Sequence, residues 1–290
     1  GGPADILARI ETSPIAEWQP DPARWTGLIF CAAAAVICLP RMFQVLVVEN
    51  ADEAHLATAS WAFPLYLFAM SLFVVPIAVV GLERMPAEAN PDMFVLTLPL
   101  AEGRDGLAVL AFLGGFSSAT SMVIVASIAL ATMVSNHVVM PIYLRRIDGA
   151  TMSGDVRRVV LRARRIAIAA VLFLGYLYFQ LSGGGALASI GLIAFVGVAQ
   201  VLPAMLGGLF WRGGTRAGAI AGLSVGFAIW LYALFLPSFG GASEGSVWAG
   251  LMAEGPFGTA WLKPQALFGI DGMDPIIHAV FWSMLLNTAA

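Results

Sequence analysis

From Gly106 to Leu144 the chain runs for 39 residues without an Asp, Glu, Lys or Arg. As a helix this stretch is roughly 58 Å long, more than a bilayer's hydrocarbon core requires. Yet it carries seven Ser and Thr residues: Ser117, Ser118, Thr120, Ser121, Ser127, Thr132 and Ser135. At about 100° per residue, all but Ser118 fall within an arc of roughly 140°. Lipid tails offer nothing to such a stripe, so it faces protein, water or a ligand.

The rest of the chain agrees with a membrane setting. It is 59% hydrophobic and only 11% charged, with a net charge of -3. A soluble domain is about one quarter charged. These values imply an all-α polytopic membrane protein, because only internally hydrogen-bonded helices or closed barrels tolerate the lipid core. The weak negative charge gives no reason to expect a nucleic-acid partner. Cys31 and Cys38, as positions on one helix, lie about 10 Å apart, too far for a disulfide. His55, His137 and His278 are scattered, and no HExxH, CxxC or Walker A pattern occurs. No catalytic residue or transition-metal site is expected, and the chain does not read as an enzyme.

Apolar runs predict spans at 27–48, 60–82, 106–144, 166–182, 186–211 and 216–237. A seventh run, 276–290, is too short to cross and reads as truncated at Ala290. The start, in a polar segment with no Met, reads the same way. We therefore expect about six full spans, with 1–26 and 238–275 as external loops. The loop 238–275, rich in Gly and Pro and with Trp248 and Trp261, is expected to pack as a cap.

The connections alternate in charge. Residues 145–165 hold Arg145, Arg146, Arg157, Arg158, Arg162, Arg164 and Arg165 against Asp148 and Asp155. Arg212 and Arg216 lie between the fifth and sixth runs. Residues 83–105 hold five acids and two Arg. By the positive-inside rule, 145–165 and 212–216 face the cytoplasm of a bacterial-type inner membrane. The connection 49–59, with Glu49, Asp52 and Glu53, is the exception, and acids weigh little in that rule. The arginine-rich connection reads as a topology determinant meeting anionic lipid, or as a coupling surface for a cytoplasmic partner.

Two constellations could carry chemistry. The hydroxyls of Ser117, Ser118, Thr120 and Ser121 lie within about one turn, just after Gly114-Gly115. They serve either as helix–helix packing groups or as ligands for Na⁺, a hard cation that seeks about five oxygens. Hydroxyls and freed backbone carbonyls would supply these without a buried counter-charge. The second is Pro40-Arg41, with Phe43 and Gln44. Proline breaks the helical ladder near Val36 and Ile37, and discontinuous helices line substrate sites in secondary transporters. Arg41 either lines that pathway or snorkels to the interface. Pro64, Pro76, Gln200 and Pro203 read as kinks and packing polars. His137 lies opposite the stripe and reads as interfacial.

The run Gly208-Leu209-Phe210-Trp211-Arg212, with Thr215, Gly218-Ala219, Gly222 and Gly226, resembles the signature of the sodium:solute symporter family. Ile142-Tyr143-Leu144-Arg145 is similar to the end of that family's sodium-binding helix, with Pro141 in place of an acid and Leu144 inserted. Ile37-Cys38-Leu39-Pro40-Arg41, Phe43, Val47-Val48-Glu49-Asn50, Gly115–Thr120 and Asp274-Pro275 with His278 and Phe281-Trp282 resemble the branch fused to sensor histidine kinases. The resemblance implies a LeuT-type bundle of thirteen helices, this chain holding the seventh to the start of the thirteenth. It implies sodium-coupled uptake of a small solute, typically proline or histidine, by alternating access. It implies sodium ligands at Ser118, Thr120 and Ser121, with partner ligands on a first helix outside this chain. The fused branch further implies a membrane input module for a cytoplasmic kinase domain in the same full-length chain.

Overall fold

The computed structural model describes residues 2–13, 16, 17, 19, 21–146, 156–181, 187–239 and 247–290. It is helical almost throughout. Helices α1 (Pro3–Thr12), α2 (Pro22–Cys38), α3 (Pro40–Phe43), α4 (Ala54–Ser71), α5 (Val74–Arg84) and α6 (Phe94–Ala101) precede α7 (Asp105–Val134). After it come α8 (Met140–Arg146), α9 (Val156–Leu181), α10 (Leu187–Ala199), α11 (Val201–Phe210) and α12 (Arg216–Trp230). Helix α13 (Val247–Glu254) leads to an antiparallel hairpin, β1 (Leu262–Lys263) with β2 (Ala266–Leu267), and then to α14 (Pro275–Ala289).

Four stretches are long and apolar enough to cross a membrane: Ala54–Arg84, Asp105–Arg145, Ala188–Phe210 and Arg216–Phe239. The bent pair Pro22–Cys38 and Pro40–Val48 makes a fifth if it counts as one span. The chain is therefore an all-α, membrane-embedded protein. The expected count of six full spans is not reached among the described residues. The 166–182 run belongs to α9, which starts ten residues earlier and carries five arginines in its first ten positions. The 276–290 run forms α14, 15 residues long.

Prolines explain where these helices deviate. Leu39, the residue before Pro40, is extended (φ -65°, ψ 126°), and the axis bends by 49° there. A residue preceding proline is driven out of the helical region by the ring's Cδ. Pro76 leaves the Leu72 carbonyl without its usual donor, and Leu72 and Phe73 form a turn between α4 and α5. Two π turns have one cause. Ser135–Val139 precedes Pro141, and Leu231–Phe235 precedes Pro237. In each, the residue just before the proline bonds five residues back: Met140 to the Ser135 carbonyl, Leu236 to the Leu231 carbonyl. The wider turn absorbs the bond that proline cannot donate.

The chain divides into two compact units. The first comprises 1–19 and 44–129. In it Gly81 lies directly under the Phe94 ring, and both residues are buried. Arg9 pairs with Glu83 at 2.5 Å, and Arg84 pairs with Glu102.

The second unit comprises 20–43 and 130–290 and holds the main apolar core: Cys31, Val196, Ala233, Leu234, Leu267, Ala279 and Val280. Helix α14 lies along α12, where Gly222 and Gly226, four apart, let it approach closely. Arg24 pairs with Asp274, the N-cap of α14, at 3.6 Å. The hairpin is pinned from two sides. The Tyr232 hydroxyl donates to the Leu262 carbonyl at 2.5 Å, and the Leu267 N–H donates to Nε2 of the fully buried His278 at 3.0 Å. Trp261, Phe268 and Trp282 form an aromatic chain beside it, with Phe268 and Trp282 centroids 4.4 Å apart.

The imidazole of His278 is thus the only acceptor shown for the Leu267 amide among the described residues. His278→Ala removes it and leaves a cavity, a loss of about 2–4 kcal/mol at that site. Hydrogen–deuterium exchange on peptides covering the hairpin should report it: the Leu267 amide is expected to exchange at least tenfold faster than in the parent, with amides of α12 far less affected.

Candidate functional site

The charge-free run forms one 41-residue helical stretch, Asp105–Arg145. Gly114-Gly115 does not interrupt it: α7 is continuous from Asp105 to Val134. The backbone carbonyls of 117–121 therefore stay committed to the helix ladder, and only side-chain oxygens are available there.

The stripe divides by depth along this helix. Ser127 and Ser135 are buried and Thr132 is half-buried, whereas Ser117, Ser118, Thr120 and Ser121 are all exposed. Ser135, inside the π turn, is fully buried with its Oγ unpartnered. Thr120 Oγ1 donates to the Phe116 carbonyl one turn back, at 2.7 Å. That bond matters for a cation. It spends the hydroxyl proton inward and leaves the oxygen lone pairs outward. The segment thus presents hydroxyl oxygens over one turn and suits one side of a hard-cation site. The remaining oxygens must come from elsewhere.

Pro40 opens the bent pair, with Arg41 half-buried one residue beyond the break. Phe43 is exposed, and Gln44 donates from Nε2 to Glu49 Oε1 at 3.0 Å. A third π turn, Gln44–Val48, follows directly. A break of this type frees backbone groups at mid-helix while the flanking segments stay helical. His137 is exposed in its π turn, and no group of three or more His, Cys, Asp or Glu could hold a metal among the described residues. Gly222-Leu223-Ser224-Val225-Gly226 has the spacing of a nucleophile elbow. It lies inside α12 rather than at a strand-to-helix turn, so it lacks the context that chemistry needs.

The most highly organised polar cluster is built on Gln200, read from the sequence as a packing polar, together with Ser283 and Asn287, which the sequence reading does not single out. Gln200 is the turn residue between α10 and α11, above Pro203, which cannot donate to the Ala199 carbonyl. Its side chain is fully buried. Nε2 donates to Ser283 Oγ at 2.8 Å and to the Val196 carbonyl at 3.1 Å. Asn287 Nδ2 donates to the Gln200 carbonyl at 2.8 Å and to its Oε1 at 3.2 Å. Ala279, Ser283 and Asn287, spaced by four, make the stripe of α14 that reaches this break. The cluster lies 83 and 87 residues apart in sequence, so no local pattern reveals it.

No family model, no curated protein and no solved structure matches the chain.

Proposed function

We propose that the chain is part of a sodium-coupled secondary transporter of a small solute, with proline and histidine as the first candidates. The observation that carries this reading is the bent pair Pro22–Cys38 and Pro40–Val48, an apolar helix broken by 49° beside an arginine. Broken helices at membrane depth are how transporters present backbone polar groups and side chains to a solute without exposing them to lipid. Pro40, Arg41, Phe43 and Gln44 would face that pathway. Ser117, Ser118, Thr120 and Ser121 would supply hydroxyls to Na⁺, which provides the driving force when bound. The signature Gly208–Arg212 with Thr215, Gly218 and Gly222 supports the same reading and, with it, a LeuT-type bundle. In that frame the arginine-rich 145–165 and 212–216 are cytoplasmic.

A second reading, the membrane input module of a sensor histidine kinase, is favoured by Ile37–Arg41 and Val47–Asn50. It is compatible with the first, since solute binding can bias an attached domain by population shift. A kinase domain encoded after Ala290 would favour it.

The test is uptake by the full-length protein in liposomes, across a panel of radiolabelled amino acids, with an inward sodium or potassium gradient. Accumulation of at least one amino acid driven by sodium and not by potassium is expected. Equal uptake under both gradients, or none for any member of the panel, overturns the proposal.

A further inference from the structure

The arginines of α9 are arranged in a way that transport does not account for. Arg158, Arg162 and Arg165 are all exposed and spaced by four and three, so they share one helix face within about 60°. That face continues without charge: Ala169, Leu172, Phe173 and Tyr176 follow at the same helical spacing, all exposed. The change from basic to apolar is abrupt, falling between Arg165 and Ile166. From Arg165 to Tyr176 the helix rises roughly 16 Å, close to half the hydrocarbon core, which is one leaflet.

Among the described residues, no acid faces Arg162 or Arg165. The π turn Ser135–Val139 and the stretch 231–239, which both pack on α9, have no acid, and neither does α8. None of the four ion pairs among the described residues involves Arg162 or Arg165. Asp148 and Asp155 lie outside the described residues. Arg145 at the end of α8 is exposed and adds to the same sign. Arg164, on another face, has a buried Nε without a partner among the described residues.

We propose that this face of α9 is a binding site for one anionic phospholipid. Its phosphate is held by Arg162 and Arg165, with Arg158 at the rim, and an acyl chain lies along Ala169, Phe173 and Tyr176. Guanidinium forks suit phosphate oxygens, and a headgroup anchored at the interface places its chain against the apolar continuation of the same face. The complementarity is of charge and of length together. A soluble anion would use the arginines and leave the apolar half of the face unexplained.

The experiment is native mass spectrometry of the detergent-solubilised full-length chain, titrated with phosphatidylglycerol or phosphatidylcholine of matched acyl chains. Phosphatidylglycerol is expected to bind at least tenfold more tightly. At about fivefold per arginine, Arg162→Gln with Arg165→Gln should weaken phosphatidylglycerol about 30-fold and leave phosphatidylcholine unchanged. Arg162→Lys with Arg165→Lys keeps the charge and should retain most of the preference. Arg104→Gln, far along the chain from this face, should change nothing. Equal binding of the two lipids, or full phosphatidylglycerol affinity in the double Gln variant, overturns the site. Displacement of the lipid by millimolar inorganic phosphate would show a simple anion site and overturn the lipid assignment.

Discussion

Replacing Gly222 with alanine is expected to lower the melting midpoint of the detergent-solubilised protein by several degrees, out of proportion to one methyl group. A Cβ at Gly222 would stand 2.5 Å from the backbone carbonyl oxygen of Asn287 and 2.8 Å from its Oδ1. That oxygen is backbone in the last turn of α14, so it moves only if the end of α14 moves away from α12. That movement loosens the bonds from Asn287 to Gln200 and from Gln200 to Ser283, which lie in the same buried cluster. Overpacking costs about 1–3 kcal/mol, and a buried polar group stripped of its partner costs about as much again. Gly226→Ala should behave similarly but less severely, because its nearest neighbours are side-chain atoms, Gln200 Oε1 and Asn287 Nδ2. Gly207→Ala is the control. It is helical, with nothing within 4 Å of the added carbon, and helix propensity alone favours alanine by about 1 kcal/mol. Equal melting of Gly222→Ala and Gly207→Ala would mean that α14 is not seated on α12 as described.

The same cluster shows why only part of this protein is legible in its sequence. Charge and apolarity decide the solvent, so the membrane class and the uninterrupted helix over 106–144 follow from the residues alone. Proline chemistry is local, so the break at Pro40 is visible too. What sequence misplaces are the effects of context on weak local signals. Gly114-Gly115 suggests a flexible point, yet the helix passes through it, because hydrocarbon leaves a freed carbonyl no water to bond. The arginine-rich 156–165 looks like connection. Arginine is nonetheless a good helix former, and the side chains can project away while the backbone continues α9. The π turns at Ser135–Val139 and Leu231–Phe235 arise one step before a proline, where a kink is the simpler expectation. Gln200, Ser283 and Asn287 carry no mark of their association, because it is made by tertiary approach across two glycines of a third helix. The hydroxyl stripe falls between these cases. Its common face is periodic and readable, whereas the division into a buried half at Ser127–Ser135 and an exposed half at Ser117–Ser121 depends on what packs where.

That division sets up a functional test with a large expected effect. On the proposed sodium-coupled reading, Thr120→Ala in the full-length protein is expected to raise the sodium concentration for half-maximal uptake by about tenfold, which corresponds to the loss of one oxygen worth about 1.4 kcal/mol. The argument is geometric. The Thr120 hydroxyl is already oriented by its bond to the Phe116 carbonyl, so its lone pairs are presented to a cation without further ordering. Alanine deletes the oxygen and disturbs little else, since the side chain is exposed and its one hydrogen bond is to its own helix. Thr120→Ser keeps the oxygen and should stay near the parent value, whereas Thr120→Val keeps the shape and should resemble alanine. Ser127→Ala, on the buried half of the same face, provides the contrast: it should shift the melting midpoint and leave the sodium dependence alone. A sodium requirement unchanged in Thr120→Ala and Thr120→Val, with uptake intact, would return the exposed hydroxyls to helix packing and overturn the proposed sodium ligands.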